Sequence, residues 1–342
     1  MTYPFRMKIR IGALTLAAMG ASFASVAGAQ SNVAATTAPP VSTKPGPTFT
    51  VNDKELPKTV TLIEYGDMRF TDPANVTDAN PTARKLLVAK IASVHPDAVQ
   101  MSGDIPLAGS RPADYDEYAL ETKVWRDEHL RIYPAMGNHE LAGRDKAGDL
   151  ENWWTAFPEL RGMRWYSVAL GKRVYLLNVD SESDMMPASD QYKWIQDQIE
   201  HLPKSVEFVM IALHRPPVAD IQTHIEVDHN PRPNEITLRD YLAEVAKTSR
   251  AKFVVVAGHI HNYERFEKDG VTYFVSGGGG AKPYVVERTP EDLYQTEDFP
   301  NFHYIKFVLD GKTLKGTMFR LADPAAETPV WDAKDTFSIV AK

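Results

Sequence analysis

The chain has 342 residues, 43% of them hydrophobic, enough to bury a sizeable core in one large domain or two small ones. A net charge of -7 and a pI near 5.8 give no basic surface of the kind that neutralises a nucleic-acid backbone, which argues against stable binding to long duplex DNA. The absence of cysteine excludes disulfides and thiolate ligands, so any metal must be held by His, Asn and carboxylates, donors that suit zinc, manganese or iron.

Arg6, Lys8 and Arg10 precede an apolar run from Ile11 to Met19, and Ala27-Gly28-Ala29 supplies a small-x-small pattern before Gln30. This is the order of a removable export signal over residues 1–29. The apolar run falls short of the roughly 20 residues a membrane span needs. The chain is therefore expected to be exported, to the periplasm or beyond the cell, with no membrane span after signal removal. Residues 30–58, with Pro39, Pro40, Pro45 and Pro47, read as a linker. Residues 59–342 read as one domain. Short apolar runs at 59–65, 98–101, 131–135, 174–179, 206–213, 252–257 and 272–276 predict buried strands. Between them, 82–94, 114–129, 189–202 and 236–247 carry apolar residues at helical intervals. Three further strand-like runs follow at 304–309, 313–319 and 336–340, the first two joined at Asp310-Gly311 in hairpin fashion. The expectation is an α/β fold, layered in the α+β manner: two packed sheets flanked by helices, the tail closing the second.

The polar residues of interest sit at the ends of those strands. Asp67 follows the first, Asp104 the second, Asn138 and His139 the third, His214 a later one, and His259 with His261 the next. In open α/β sheets the loops beyond the carboxyl ends of strands converge on one crevice. Each signal alone has a duller reading: Gly66-Asp67 and Gly103-Asp104 as turns with a helix cap, His214 as a satisfied histidine at the core edge. Five such signals at successive strand ends are hard to explain by coincidence.

The ordered set Gly66-Asp67, Gly103-Asp104, Gly137-Asn138-His139-Glu140, His214 and Gly258-His259-Ile260-His261 resembles the signature of calcineurin-like metallophosphoesterases. Within that family, His261-Asn262-Tyr263-Glu264-Arg265 and Gln191-Tyr192-Lys193-Trp194 look most like the purple acid phosphatase branch. The resemblance implies two packed mixed sheets and hydrolysis of phosphate esters at two metal ions, divalent or trivalent Fe, Mn or Zn. Two ions about 3.5–4 Å apart can turn a bound water into an attacking hydroxide and neutralise the phosphoryl oxygens. By the resemblance Asp104 bridges the ions, Asn138, His214 and His259 bind one, and Asp67 and His261 bind the other. His139 matches a histidine that faces the leaving group, a general acid. The proline-rich segment 215–234 reads as a loop over the site. In it, His224 stands where purple acid phosphatases carry a substrate-facing histidine; a solvated loop histidine is the alternative.

Two departures stand out. Most family members place a histidine two residues after the first aspartate, where this chain has Arg69, which stays protonated and cannot ligate. Purple acid phosphatases place a tyrosine three residues after the bridging aspartate, where this chain has Leu107, so no colour is expected. Arg69 then either grips the substrate phosphate with its planar fork or forms a salt bridge with a nearby carboxylate. The run Gly277 to Gly280 lacks the Lys-Ser/Thr of a Walker loop and reads as close backbone packing beside the site. Tyr284 and Tyr294 after it suggest a nucleotide-like substrate. The leading function is a phosphoesterase acting on a small phosphorylated substrate; the alternative, prompted by Arg69, is a catalytically weak or inactive relative that binds a phosphorylated ligand.

Overall fold

The computed structural model describes residues 46–223 and 229–342. In chain order the elements begin with β1 (Phe49–Val51), β2 (Val60–Tyr65), α1 (Pro81–Val94), β3 (Ala98–Met101), α2 (Pro112–Glu121), α3 (Lys123–Asp127) and β4 (Ile132–Pro134). Then come α4 (Lys146–Ala156), β5 (Tyr166–Leu170), β6 (Val174–Asn178), α5 (Asp190–Glu200), β7 (Phe208–Leu213), α6 (Pro233–Thr248) and β8 (Lys252–Ala257). The last are β9 (Tyr263–Lys268), β10 (Val271–Ser276), β11 (Phe302–Asp310), β12 (Thr313–Leu321) and β13 (Trp331–Val340).

The strands form two mixed sheets, one of seven in the order β1-β5-β6-β7-β8-β10-β9 and one of six in the order β13-β12-β11-β2-β3-β4. Successive side chains of a strand point to opposite faces, and β7 shows why its sequence is apolar throughout. Phe208 and Met210 join the core between the sheets with Leu62, Val99 and Phe307. Val209, Ile211 and Leu213 pack instead with Trp194 and Ile195 of α5 and Leu238 and Leu242 of α6. On the other sheet, Leu87 and Ile91 of α1, Tyr118 of α2 and Trp125 of α3 join the core of β2 and β3.

Parallel pairing positions the site. β2, β3 and β4 run parallel, Tyr65 opposite Met101 and Met101 opposite Pro134, so their chains leave the sheet at one edge. β7 and β8 are also parallel, Leu213 opposite Ala257, and leave the other sheet together at His214 and Gly258. Away from these edges the sheets are tied by Asp335 of β13, which accepts from Tyr263 Oη at 2.9 Å and from Arg265 Nε at 2.6 Å, both on β9.

The two layered sheets agree with expectation, and the tail is now placed: β11 pairs antiparallel with β2, so β11–β13 complete the sheet that carries β2–β4. The hairpin turn falls at Gly311, with φ +53°, between Asp310 and its partner Thr313. Other features escaped the sequence. Phe49–Val51, inside the stretch read as linker, is an edge strand parallel to β5. The helix expected over 114–129 is two helices, interrupted at Thr122, whose hydroxyl donates to the Tyr118 carbonyl. Strand β9 (Tyr-Glu-Arg-Phe-Glu-Lys) is too charged to read as a buried strand because it is an edge strand paired only with β10. No described helix is long and apolar enough to cross a membrane, and the expected export signal lies outside the described residues.

Candidate metal centre

The six-stranded sheet delivers the acids. Asp67 follows β2 with left-handed backbone, φ +61°, and is fully buried. Its N–H donates to the Gly103 carbonyl at 3.0 Å, and its Oδ2 accepts the His259 N–H at 2.9 Å. Asp104 follows β3, also left-handed at φ +53° and fully buried. Its Oδ1 accepts the His139 N–H at 3.0 Å. Burial alone would raise the Asp104 pKa, but His214, His139 and Arg69 around it outweigh that and hold the carboxyl well below its usual range. Asn138 follows β4, and its side-chain oxygen lies 3.0 Å from His214 Nε2.

The seven-stranded sheet delivers the imidazoles. His214, at the end of β7, keeps its Nδ1 against the Ser102 carbonyl at 2.9 Å. A carbonyl can only accept, so the proton sits on Nδ1 and the lone pair of Nε2 faces the site. Around that atom lie Asn138 Oδ1 at 3.0 Å, Asp104 Oδ1 at 3.2 Å and His259 Nδ1 at 3.2 Å. His261 repeats the pattern: Nδ1 donates to the Lys282 carbonyl at 2.7 Å, and Nε2 lies 3.5 Å from Asp67 Oδ1. Both of those facing atoms are buried without a hydrogen-bond partner among the described residues. Two buried acceptors facing each other are unfavourable unless a cation or a proton comes between them.

The seam between the sheets is narrow. A Cβ at Gly258 would stand 2.3 Å from Asp67 Oδ2, and one at Gly137 2.4 Å from Asp104 Oδ1, so neither position has room for a side chain. The glycine run packs as expected, the Gly279 N–H donating to the Gly66 carbonyl at 2.8 Å.

These groups have the chemistry of a metal site: carboxylate, amide and imidazole donors, with His214 and His261 oriented by backbone carbonyls as metal-binding histidines commonly are. Asp67, Asp104 and His214 each offer a donor atom, all within 4.8 Å of one another.

Of the residues singled out from sequence, Asp67, Asp104, Asn138, His214, His259 and His261 converge here. His139 adjoins them, its Nδ1 against the Leu107 carbonyl and its Nε2 3.8 Å from Asp104 Oδ2. Burial, only partly offset by Asp104, pulls the His139 pKa below the usual imidazole range. Arg69 forms an ion pair within the site itself, Nη2 lying 3.3 Å from Asp104 Oδ2. His224 lies outside the described residues. Tyr284 stands at the site, its hydroxyl donating to the His259 carbonyl at 2.9 Å and its ring 4.7 Å from that of His261. Tyr294 is not available to a ligand: it is 3% exposed and packed edge-on against Tyr263.

Three participants had no assigned role. Glu140 is fully buried, and its carboxylate accepts the N–H groups of Asp104, Ile105 and Gly137 at 3.1, 2.8 and 2.7 Å, binding the Asp104 and Gly137 loops together. Burial, followed by the neighbouring Asp104, pushes its pKa up to about 8. Arg215 Nη1 lies 2.7 Å from His259 Nε2 while its Nε holds Glu182 at 2.7 Å. His229 packs edge-on against His259 and stacks on Tyr284. Glu140 and Arg215 adjoin His139 and His214 in the chain, the signal that could have drawn attention to them; nothing in the sequence separates His229 from other loop histidines.

Residues 70–263, more than half of the chain, match the calcineurin-like phosphoesterase family, and the chain belongs to it. The matched stretch holds Asp104, Asn138, His139, His214, His259 and His261 but not Asp67 or Arg69. The chain is 25% identical over 116 residues to a probable purple acid phosphatase 20 of Arabidopsis thaliana, covering 31% of this chain and 26% of that protein. It thus spans about a quarter of the length of the curated relative it matches. Among solved structures it is similar to the purple acid phosphatase PPD1 of yellow lupin, with a TM-score of 0.64, 17% identity, and 82% of this chain and 54% of that one covered. It is also similar to a dimetal phosphatase of Danio rerio, with a TM-score of 0.55, 14% identity, and 83% and 99% covered. A third likeness is to GAP50 of Plasmodium, described as the anchor in the inner membrane complex, with a TM-score of 0.60, 12% identity, and 83% and 89% covered. At these identities the structural likenesses establish the fold.

Proposed function

We propose that the chain is an exported metal-dependent hydrolase of small phosphate esters, working at two adjacent cation positions. One position would draw on Asp104 Oδ1, Asn138, His214 and His259, the other on Asp67 and His261, with Asp104 between them. The observation that carries this reading is the buried facing pair of Asp67 Oδ1 and His261 Nε2 at 3.5 Å beside the fully buried Asp104. Ions bound there would supply an activated water and a charge that neutralises phosphoryl oxygens.

The chain's own residues supply the remainder. Ser102 and Lys282 carbonyls fix the histidine tautomers that leave lone pairs facing the centre. Glu140 holds the Asp104 and Gly137 loops at fixed spacing. His139, with Nδ1 held by the Leu107 carbonyl, turns Nε2 toward the site, where it can hand a proton to the departing oxygen. Arg69, 18% exposed, can also meet a phosphoryl oxygen at the mouth, and His224 is a second candidate for substrate contact from the loop.

The test is release of p-nitrophenol from p-nitrophenyl phosphate and from bis-p-nitrophenyl phosphate after loading with manganese, zinc or iron. Hydrolysis of either supports the reading, and the preferred ester assigns monoesterase or diesterase. A second reading, a metal-dependent binder of a phosphorylated ligand, is favoured by the Arg69 ion pair, which occupies one oxygen of Asp104. Silence toward every ester with metal demonstrably bound would make it the better account.

A further inference from the structure

The two oxygens of Asp104 have different company. Oδ1 meets His214 Nε2 at 3.2 Å and the His139 N–H at 3.0 Å. Oδ2 meets Arg69 Nη2 at 3.3 Å, with His139 Nε2 at 3.8 Å. The guanidinium is a permanent cation, and it meets a carboxylate that is fully removed from solvent.

Arg69 is fixed from several sides. Its N–H donates to the Asp104 backbone carbonyl at 2.9 Å, so main chain and side chain grip the same residue. Its own carbonyl accepts from Arg84 Nη1 at 3.1 Å, and Arg84 is fully buried and tied to Glu121 at 2.6 Å. Its backbone is left-handed, φ +49°, a conformation that a large side chain adopts only when its surroundings impose it. The guanidinium is thus a built part of the centre.

We propose that Arg69 is a resident cation that neutralises Asp104 Oδ2, so that the Asp67–His261 position binds its ion much more weakly than the Asp104–Asn138–His214–His259 position. The proposal rests on the two-position reading above. An ion between Asp67 and His261 that drew on Asp104 Oδ2 must displace the guanidinium or share the oxygen with it. Sharing sets two positive charges side by side in a buried place, where their repulsion is poorly screened. The other position keeps Oδ1, which no guanidinium contacts, with Asn138 and His214 beside it; Arg215 Nη1 lies 2.7 Å from His259 Nε2, so only the Nδ1 side of that ring faces the position. One ion is therefore resident, and the second joins when a substrate phosphate brings negative charge to offset Arg69.

The test is a manganese titration of the chelator-stripped full chain, followed by calorimetry and by electron paramagnetic resonance. The wild type should bind one equivalent tightly and the second about 100-fold or more weakly, with the signal of isolated Mn(II) at one equivalent. Arg69→His and Arg69→Asn should bring the two affinities to within roughly tenfold and give the signal of an exchange-coupled pair at two equivalents. Asn is chosen because it tolerates left-handed backbone. Arg69→Lys, which keeps the charge, should retain the gap. Equal affinities in the wild type, or a gap unchanged in both neutralising variants, would overturn the proposal. A wild type that binds no manganese removes the metal centre and this inference together. Unequal binding without ester hydrolysis sinks only the hydrolase.

Discussion

The two sheets make unlike contributions to the centre. The six-stranded sheet ends in Asp67, Asp104 and Asn138, all oxygen donors, and the seven-stranded sheet ends in His214, His259 and His261, all nitrogen donors. Neither set makes a site alone. Oxygen donors without the imidazoles would be a buried cluster of like charge, and imidazoles without carboxylates would carry no charge to attract a cation. Contacts across the seam, such as the His259 N–H on Asp67 Oδ2 at 2.9 Å and the His214 Nδ1 on the Ser102 carbonyl at 2.9 Å, register one set against the other. Packing between the sheets is therefore also the assembly of the chemistry.

The largest effect should come from deleting one donor on either side. Asp104→Asn from one sheet and His214→Gln from the other should each lower kcat/KM on the order of 10³-fold and reduce bound metal measured by elemental analysis. If one of them keeps full metal content, the centre belongs to a single sheet. His139→Ala should retain metal and lose roughly 10²-fold or more in kcat. The His139 pKa is depressed by burial, so a proton-donating His139 loses its proton already below the usual imidazole range. The pH profile should favour acid and fall as pH rises through that value, and this falling limb should vanish in His139→Ala.

Glu140→Gln tests whether the oxygen-donor side needs its own brace. An amide has one accepting oxygen where the carboxylate used two for three N–H groups, so one donor is left buried and unpaired. Metal affinity should fall about 10- to 100-fold, read by competition with a chromogenic chelator. The smallest effect is expected from Asp335→Asn, which weakens a tie between the sheets that involves none of the six residues of the centre. It should lower unfolding free energy by about 1–2 kcal/mol in a urea titration and leave metal affinity unchanged. A matching loss of affinity would show that the seam is set by the whole interface and not by its local contacts.

Much of this centre could be read from the sequence because strand ends are easy to find. Apolar runs such as Phe208–Leu213 and Lys252–Ala257 end abruptly in polar residues, and parallel pairing brings those ends together. What stayed hidden depends on tertiary partners. Glu140 looks like any acid after a turn until three N–H groups from two loops are seen to meet it. From sequence Arg69 reads as a substrate contact or a salt bridge, and only the fold brings it against its partner, Asp104. Tyr294 reads like Tyr284 in the sequence, but the first is buried against Tyr263 while the second stands beside His261. Strand β9 defeats periodicity because an edge strand need not be apolar.

Asp67, Arg69, Asp104 and His259 all hold left-handed backbone, at φ between +49° and +72°. Such positions disfavour residues with a Cβ by about 1 kcal/mol or more each, and glycine would relieve them. Glycine at any of the four would relax the backbone there and remove a functional group at the same stroke. At Asp67 and Asp104 that relief is offset, because the His259 and His139 N–H groups would lose their acceptors. Arg69 is the place where glycine keeps the main-chain bond to the Asp104 carbonyl, so a descendant of this chain released from its function should lose Arg69 to glycine before either aspartate.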